Sequence, residues 1–217
     1  MEPLNELIKK AHALLNENRN PKYEITSSSH PRYRKLKRIR ALRDIRRHGV
    51  RAGDLGGYVF SEDNLSQVGD AWIGGDARVS GKARVIDDAI VYGKARVIDD
   101  ARVSGRAQVS GEASVTGDAE VSGEASVTGD AQVYDNASVF GDAEVFGTAQ
   151  VYDWASVGGA AKVFGDADVS GHTLISGNAS ISGLVIVSGK AQIFGTATLS
   201  GNEEVSGRAV IDGNQEV

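Results

Sequence analysis

The feature that most constrains this chain is a six-residue repeat that runs without a skip through its last two thirds. A branched aliphatic residue recurs every six positions from Ile73 to Val217, 25 times in one register. Two positions before each stands a small residue, nearly always alanine, from Ala71 to Ala209; four positions before stands glycine or, at Asp87, Asp99, Asp135 and Asp153, aspartate. A period of six drifts out of phase with a 3.6-residue helix, and each glycine inside a helix costs about 1 kcal/mol. Extended chain satisfies the same pattern: Ala and Val, two apart, point to one side while the residue between them points out. Glycine with Asp, Asn or Lys beside it then makes a bend, because glycine reaches positive φ without steric cost. Repeated, such a strand-and-turn unit winds into a parallel β-helix. One unit buries almost nothing, whereas stacked coils bury valine over valine.

Composition follows from this phase. Of the 27 glycines, 21 fall at the bend position, so the excess belongs to the repeat and not to a collagen triplet. Aromatic residues make up only 6% of the chain, and a narrow prism of Val and Ala has no room for rings. Tyr134, Phe140, Phe146, Tyr152 and Phe164 each follow an inward valine directly and are expected to face outward, with Trp154 at a neighbouring corner. Such rings act either as stabilising ladders or as a subunit or partner interface. The outward apolar set Leu174, Leu184, Ile186 and Val210 extends the interface reading into the last third.

Residues 69–217 resemble the hexapeptide-repeat superfamily. The resemblance implies an all-β solenoid, a single-stranded left-handed parallel β-helix with three hexads per coil. At 18 residues per coil that gives about eight coils and a rod roughly 40 Å long. Tyr134 then stacks on Tyr152 and Phe146 on Phe164. The segments VRAGDLGGYV (50–59) and NLSQVGDAWI (64–73) are similar to the entry into the repeats of YdcK-like hexapeptide proteins of enterobacteria and their phage and prophage relatives. That likeness implies a homo-oligomer, a trimer by the habit of the superfamily, and a host protein as partner.

The same resemblance defines the enzymatic alternative. Acyltransferases of this superfamily place a histidine general base between subunits and use acyl-CoA. Of His12, His30, His48 and His172, only His172 lies in the repeat, so it alone is the candidate base; the bland reading is a solvated corner residue. The uninterrupted register leaves no extruded loop to shape a pocket. A three-histidine zinc site, as in the carbonic anhydrases of this fold, cannot be assembled from one solenoid histidine per chain, so no metal site is expected. Without the acyltransferase reading no cofactor is expected.

Residues 1–60 carry 14 Lys/Arg against 6 Asp/Glu, and residues 61–217 carry 10 against 23. The first part reads as a small α+β cap over the open end of the solenoid of residues 61–217. Leu4, Leu7, Ile8, Ala11, Leu14 and Leu15 fall at helical spacing behind Pro3, and Tyr23–Thr26 and Tyr33–Leu42 read as strand-forming. The basic run of residues 32–51 either docks on the chain's own acidic body or contacts nucleic acid or an acidic partner.

Between Ala and Val the middle residue faces out, and early in the rod it is Arg78, Arg84, Arg96 and Arg102. The 18-residue step sets Arg78 under Arg96 and Arg84 under Arg102, on adjoining faces that share the corner of Lys82 and Asp100. Like charges about 5 Å apart repel unless something negative lies among them. Asp87, Asp88, Asp99 or Asp100 supplies it, or an external anion or acidic partner does. No apolar stretch reaches the ~20 residues of a membrane span and MEPLNELIKK lacks a signal-peptide core, so a cytoplasmic protein without membrane contact is expected. The expected function is a non-catalytic scaffold or protein-binding module. The alternatives are a CoA-dependent acyltransferase, and a nucleic-acid or nucleotide binder acting through residues 32–51 and the arginine stacks.

Overall fold

The computed structural model describes residues 21–213; the expected helix near Leu4–Leu15 and His12 lie outside them. Each hexad contributes a strand of two residues, such as Arg78–Val79 or Arg96–Val97, or of three at Gln192–Phe194 and Val210–Asp212, and strands eighteen residues apart pair in parallel. Three sheets result. One holds nine parallel strands and the other two hold eight each, wrapped around a single column of Ala and Val side chains with no solvent exposure over most of its length. The fold is therefore the all-β parallel solenoid that the repeat anticipates. Every bend from Gly69 to Gly207 takes positive φ, including Asp87, Asp99, Asp135 and Asp153 at 57° to 65°. At three of these aspartates the carboxylate repays the strained backbone by accepting the N–H of the next bend: Asp87 from Gly105 at 3.0 Å, Asp99 from Gly117 at 3.4 Å and Asp153 from Gly171 at 3.0 Å.

Three strands precede the regular coils: β1 (Tyr23–Ser29), β2 (Lys37–Ala41) and β3 (Leu55–Val59). They pair antiparallel in that order, and β3 then pairs in parallel with Arg78–Val79, so one sheet runs from the cap into the solenoid. The strand signal read over Tyr33–Leu42 is realised only from Lys37. His30 Nδ1 accepts the N–H groups of Arg32 and Tyr33, and Leu36 N–H returns to the Tyr33 carbonyl, which closes residues 30–36 into a turn. The solenoid also begins before the sequence repeat does. Val59 faces Val79 and Leu65 faces Val85, twenty residues apart, while Ile73 faces Val91 at the regular eighteen.

The two extra residues of this first coil have a use. Gln67 accepts Lys22 N–H at 2.8 Å and donates to the Tyr23 carbonyl at 3.2 Å, which seats both residues over the open end of the prism. Lys22 Nζ donates to the Ala71 carbonyl at 2.8 Å, and the Tyr23 hydroxyl donates to that of Leu65 at 2.7 Å. Asn64 caps the adjoining edge by donating to the Gly81 and Ala83 carbonyls. Strand edges that would otherwise stand open are satisfied by side chains.

Two consequences are measurable. A Cβ at Gly57 would stand 2.5 Å from the Ala77 carbonyl oxygen and 2.7 Å from Ile73 Cγ2, so Gly57→Ala is expected to lower unfolding free energy by about 2 kcal/mol in urea titration. Burial pulls the Lys22 ammonium from 10.5 down to about 8, with Arg43 adding repulsion and Asp70 and Asp88 opposing. Between those values the unfolded chain holds the extra proton, so stability rises with pH across this window. Raising pH from about 7.5 to about 9.5 is expected to raise the urea midpoint of the native chain and to leave Lys22→Met nearly flat.

Candidate anion-binding cleft

The side chains singled out from the sequence occupy the solenoid at the expected phases, but the structure gives them different surroundings. Arg78 pairs in register with Arg96, and Arg84 with Arg102, on two different sheets. The four aspartates that could have neutralised them are otherwise engaged. Asp88 pairs with Arg47, Asp100 with Lys82 at 3.2 Å, and Asp87 and Asp99 accept bend N–H groups. Among the described residues none of the four arginines forms an ion pair.

The two arginine pairs are not equivalent. Arg84 and Arg102 line a hollow of about 290 Å³ with Lys82, Asp100 and Glu120. Asp100 there is held by Lys82, and Glu120 stands beside Arg102 in register. Arg78 and Arg96 instead lie beneath the His30–Leu36 turn, in a cleft of about 440 Å³ lined by His30, Arg32, Tyr33, Tyr58, Asp76 and Lys94. Its acid, Asp76, faces Arg38 at 3.9 Å, and Lys94 is held by Glu112 at 2.8 Å. Arg32, Arg78 and Arg96 are left as three guanidinium groups without a carboxylate.

Aromatic rings position these cations. The Arg78 guanidinium lies 4.6 Å from the centre of the Tyr33 ring, and that of Arg32 lies 5.7 Å from it. His30 packs edge-on to Tyr58 at 4.7 Å and tilted to Tyr33 at 5.1 Å, which ties the turn to the solenoid face. A hydrogen bond from Arg78, with the charges of Arg32 and Arg78, holds the Tyr33 phenol below its ordinary range. Burial and the Arg78 charge pull the His30 imidazole down. That fits its Nδ1 accepting two backbone N–H groups.

Much of the basic run is spent within the molecule. Arg38 donates to the Gly56 carbonyl and the Tyr58 hydroxyl, Arg40 pairs with Glu24 at 2.6 Å, Arg43 with Asp70 at 3.8 Å and Arg47 with Asp88 at 3.4 Å. Docking on the chain's own acidic groups therefore accounts for these four.

The aromatic set divides in the same way. Tyr134 and Tyr152 stack at 4.8 Å and 2°, and Phe146 and Phe164 at 4.7 Å and 4°, as the 18-residue step requires. Phe140 covers Gly158, the in-register position one coil on. These rings lie at three corners and shield one another and the backbone. Trp154 is 58% exposed and stacks on His172 at 5.2 Å. His172 is an exposed corner residue that lines neither the cleft under the His30–Leu36 turn nor the hollow of Arg84 and Arg102. Among the described residues no group of three His, Cys, Asp or Glu side chains could hold a metal, and no helix is long and apolar enough to cross a membrane.

The class thus defined is a parallel β-solenoid with a cationic, aromatic-walled cleft where its cap meets the first coils. No family model matches the chain, and no curated protein matches it.

Sequence reasoning found Arg78 and Arg96 but missed His30, Arg32 and Tyr33 as their partners. The one available signal was the aromatic residue inside the basic run at RYRK. Tyr33 is expected to titrate below the ordinary 10.0, and its midpoint, followed through its ring resonances by NMR, is expected to rise toward that value in Arg78→Ala.

Proposed function

We propose that this chain is a non-catalytic scaffold of the hexapeptide-repeat kind. It holds a partner protein, a host protein on the expectation above, by an acidic side chain seated in the cleft under the His30–Leu36 turn. The observation that carries this reading is the convergence of Arg32, Arg78 and Arg96 on one cleft walled by Tyr33 and Tyr58; Arg84 and Arg102 also form no ion pair among the described residues, but no aromatic ring lines their hollow. Two in-register arginines repel, and an incoming carboxylate relieves that repulsion as it forms charge-assisted hydrogen bonds. The rod contributes rigidity, since a site built on paired strands pays little ordering entropy on binding. Homo-oligomerisation through exposed Trp154, Leu174, Leu184, Ile186 and Val210 belongs to the same proposal and is read by mass measurement in solution.

Hexaglutamate is the probe for the cleft. Arg78→Ala/Arg96→Ala is expected to weaken its binding by about tenfold or more at low salt, while Arg84→Ala/Arg102→Ala changes it by less than about twofold. Equal binding by the native chain and the first variant overturns the reading. Stronger retention of single-stranded DNA than of hexaglutamate would move the chain to the nucleic-acid class.

A further inference from the structure

The cleft has a second compartment. On the far side of Tyr33 and Arg78 lies a smaller hollow of about 200 Å³, lined by Tyr33, Leu36, Ser80, Arg96 and Ile98. Tyr33, Arg78 and Arg96 line both hollows, so a cationic hollow and a largely apolar one adjoin across these three side chains. Leu36 is buried in its floor, and Ile98 is the outward residue one coil beyond Ser80. An occupant that fits both hollows joins an anion directly to a flat apolar group.

The charge count says which anion. Arg32, Arg78 and Arg96 form no ion pair among the described residues, the carboxylates nearest the cleft, Asp76 and Glu112, being paired with Arg38 and Lys94, and one incoming carboxylate would leave most of that charge unanswered. A phosphate monoester carries close to two charges at neutral pH and offers three acceptor oxygens, and arginine forks match such oxygens two at a time. Tyr33, the one ring that lines both hollows, gives a planar group an aromatic neighbour.

We infer that the cleft takes an aryl phosphate monoester, with the phosphate between Arg32, Arg78 and Arg96 and the ring over Leu36 and Ile98. The source is a phosphotyrosyl residue on a partner protein or a free aromatic phosphate, and the chemistry of recognition is the same for both. This inference rests on the acidic-partner reading above and narrows it from any acid to a dianion borne on a ring.

Calorimetric titration of the full chain with phenyl phosphate, phenylacetate and a blocked Gly-phosphotyrosine-Gly tripeptide tests it. Phenyl phosphate is expected to bind at least about tenfold more tightly than phenylacetate, which keeps the ring and carries one charge. Arg78→Ala/Arg96→Ala is expected to abolish the difference. Arg78→Lys/Arg96→Lys, which keeps the charge and loses the forks, is expected to lose about threefold or more while its urea midpoint stays near that of the native chain. Tripeptide binding equal to or tighter than phenyl phosphate assigns the site to a partner's phosphotyrosine; binding of phenyl phosphate alone assigns it to a small aromatic phosphate. Equal affinity for phenyl phosphate and phenylacetate overturns the dianion inference and leaves the acidic-partner reading standing. Failure of both, together with indifference of hexaglutamate to the arginine variants, overturns the two together.

Discussion

Every other property of this molecule depends on the main-chain hydrogen bond that each strand and bend donates to the coil above. Arg78 N–H reaches the Ala95 carbonyl at 2.9 Å, Ser80 that of Val97 at 3.1 Å and Lys82 that of Asp99 at 2.7 Å, and the pattern continues along the rod. Because these bonds recur at every hexad, the eighteen-residue register has no freedom to slip, and each outward side chain faces the residue eighteen positions on. Where the corner sequence alternates sign the outcome is favourable, as in Lys82 with Asp100, Lys94 with Glu112 and Arg106 with Glu124. Where it repeats a sign, as in Arg78 with Arg96, the backbone holds two cations together that their own electrostatics would separate. That enforced proximity is what makes the cleft receptive to an anion.

The same ladder leaves an unpaired edge at the start of the rod, and the cap answers it with side chains. Lys22, Tyr23, Asn64 and Gln67 donate to carbonyls or accept N–H groups that no further coil is present to satisfy. In Lys22 this requires a buried ammonium, and burial drags its proton affinity down. Docking of β1 to β3 on the first coil also places the His30–Leu36 turn above Arg78. Closing the prism and roofing the cleft are therefore one structural event.

The aromatic ladders show how a repeat separates stability from recognition. Tyr134 with Tyr152 and Phe146 with Phe164 bury their faces against each other, a contact worth about 0.5–1.5 kcal/mol per pair beyond area alone. Trp154, Leu184 and Val210 remain at 58% to 61% exposure, on different sides of the rod, and belong to the residues through which self-association is proposed. His172 spends one ring face on Trp154 and lies at a convex corner, a poor setting for a general base that must exclude water around a substrate.

The sequence by itself determined which residues point inward, where the chain bends, and which side chains stack, down to Arg78 with Arg96 and Tyr134 with Tyr152. It could do so because a rigid hydrogen-bond ladder turns separation along the chain into separation in space, so that counting in steps of eighteen suffices. Tertiary structure alone decided the twenty-residue first coil, the engagement of Arg38, Arg40, Arg43 and Arg47 with the molecule's own groups, and the placing of Tyr33 against Arg78, forty-five positions away. Those features belong to a segment without a period. Its course is set by long-range contacts such as His30 on Tyr58 and Lys22 on Ala71, and no local pattern records which distant partner a side chain will meet.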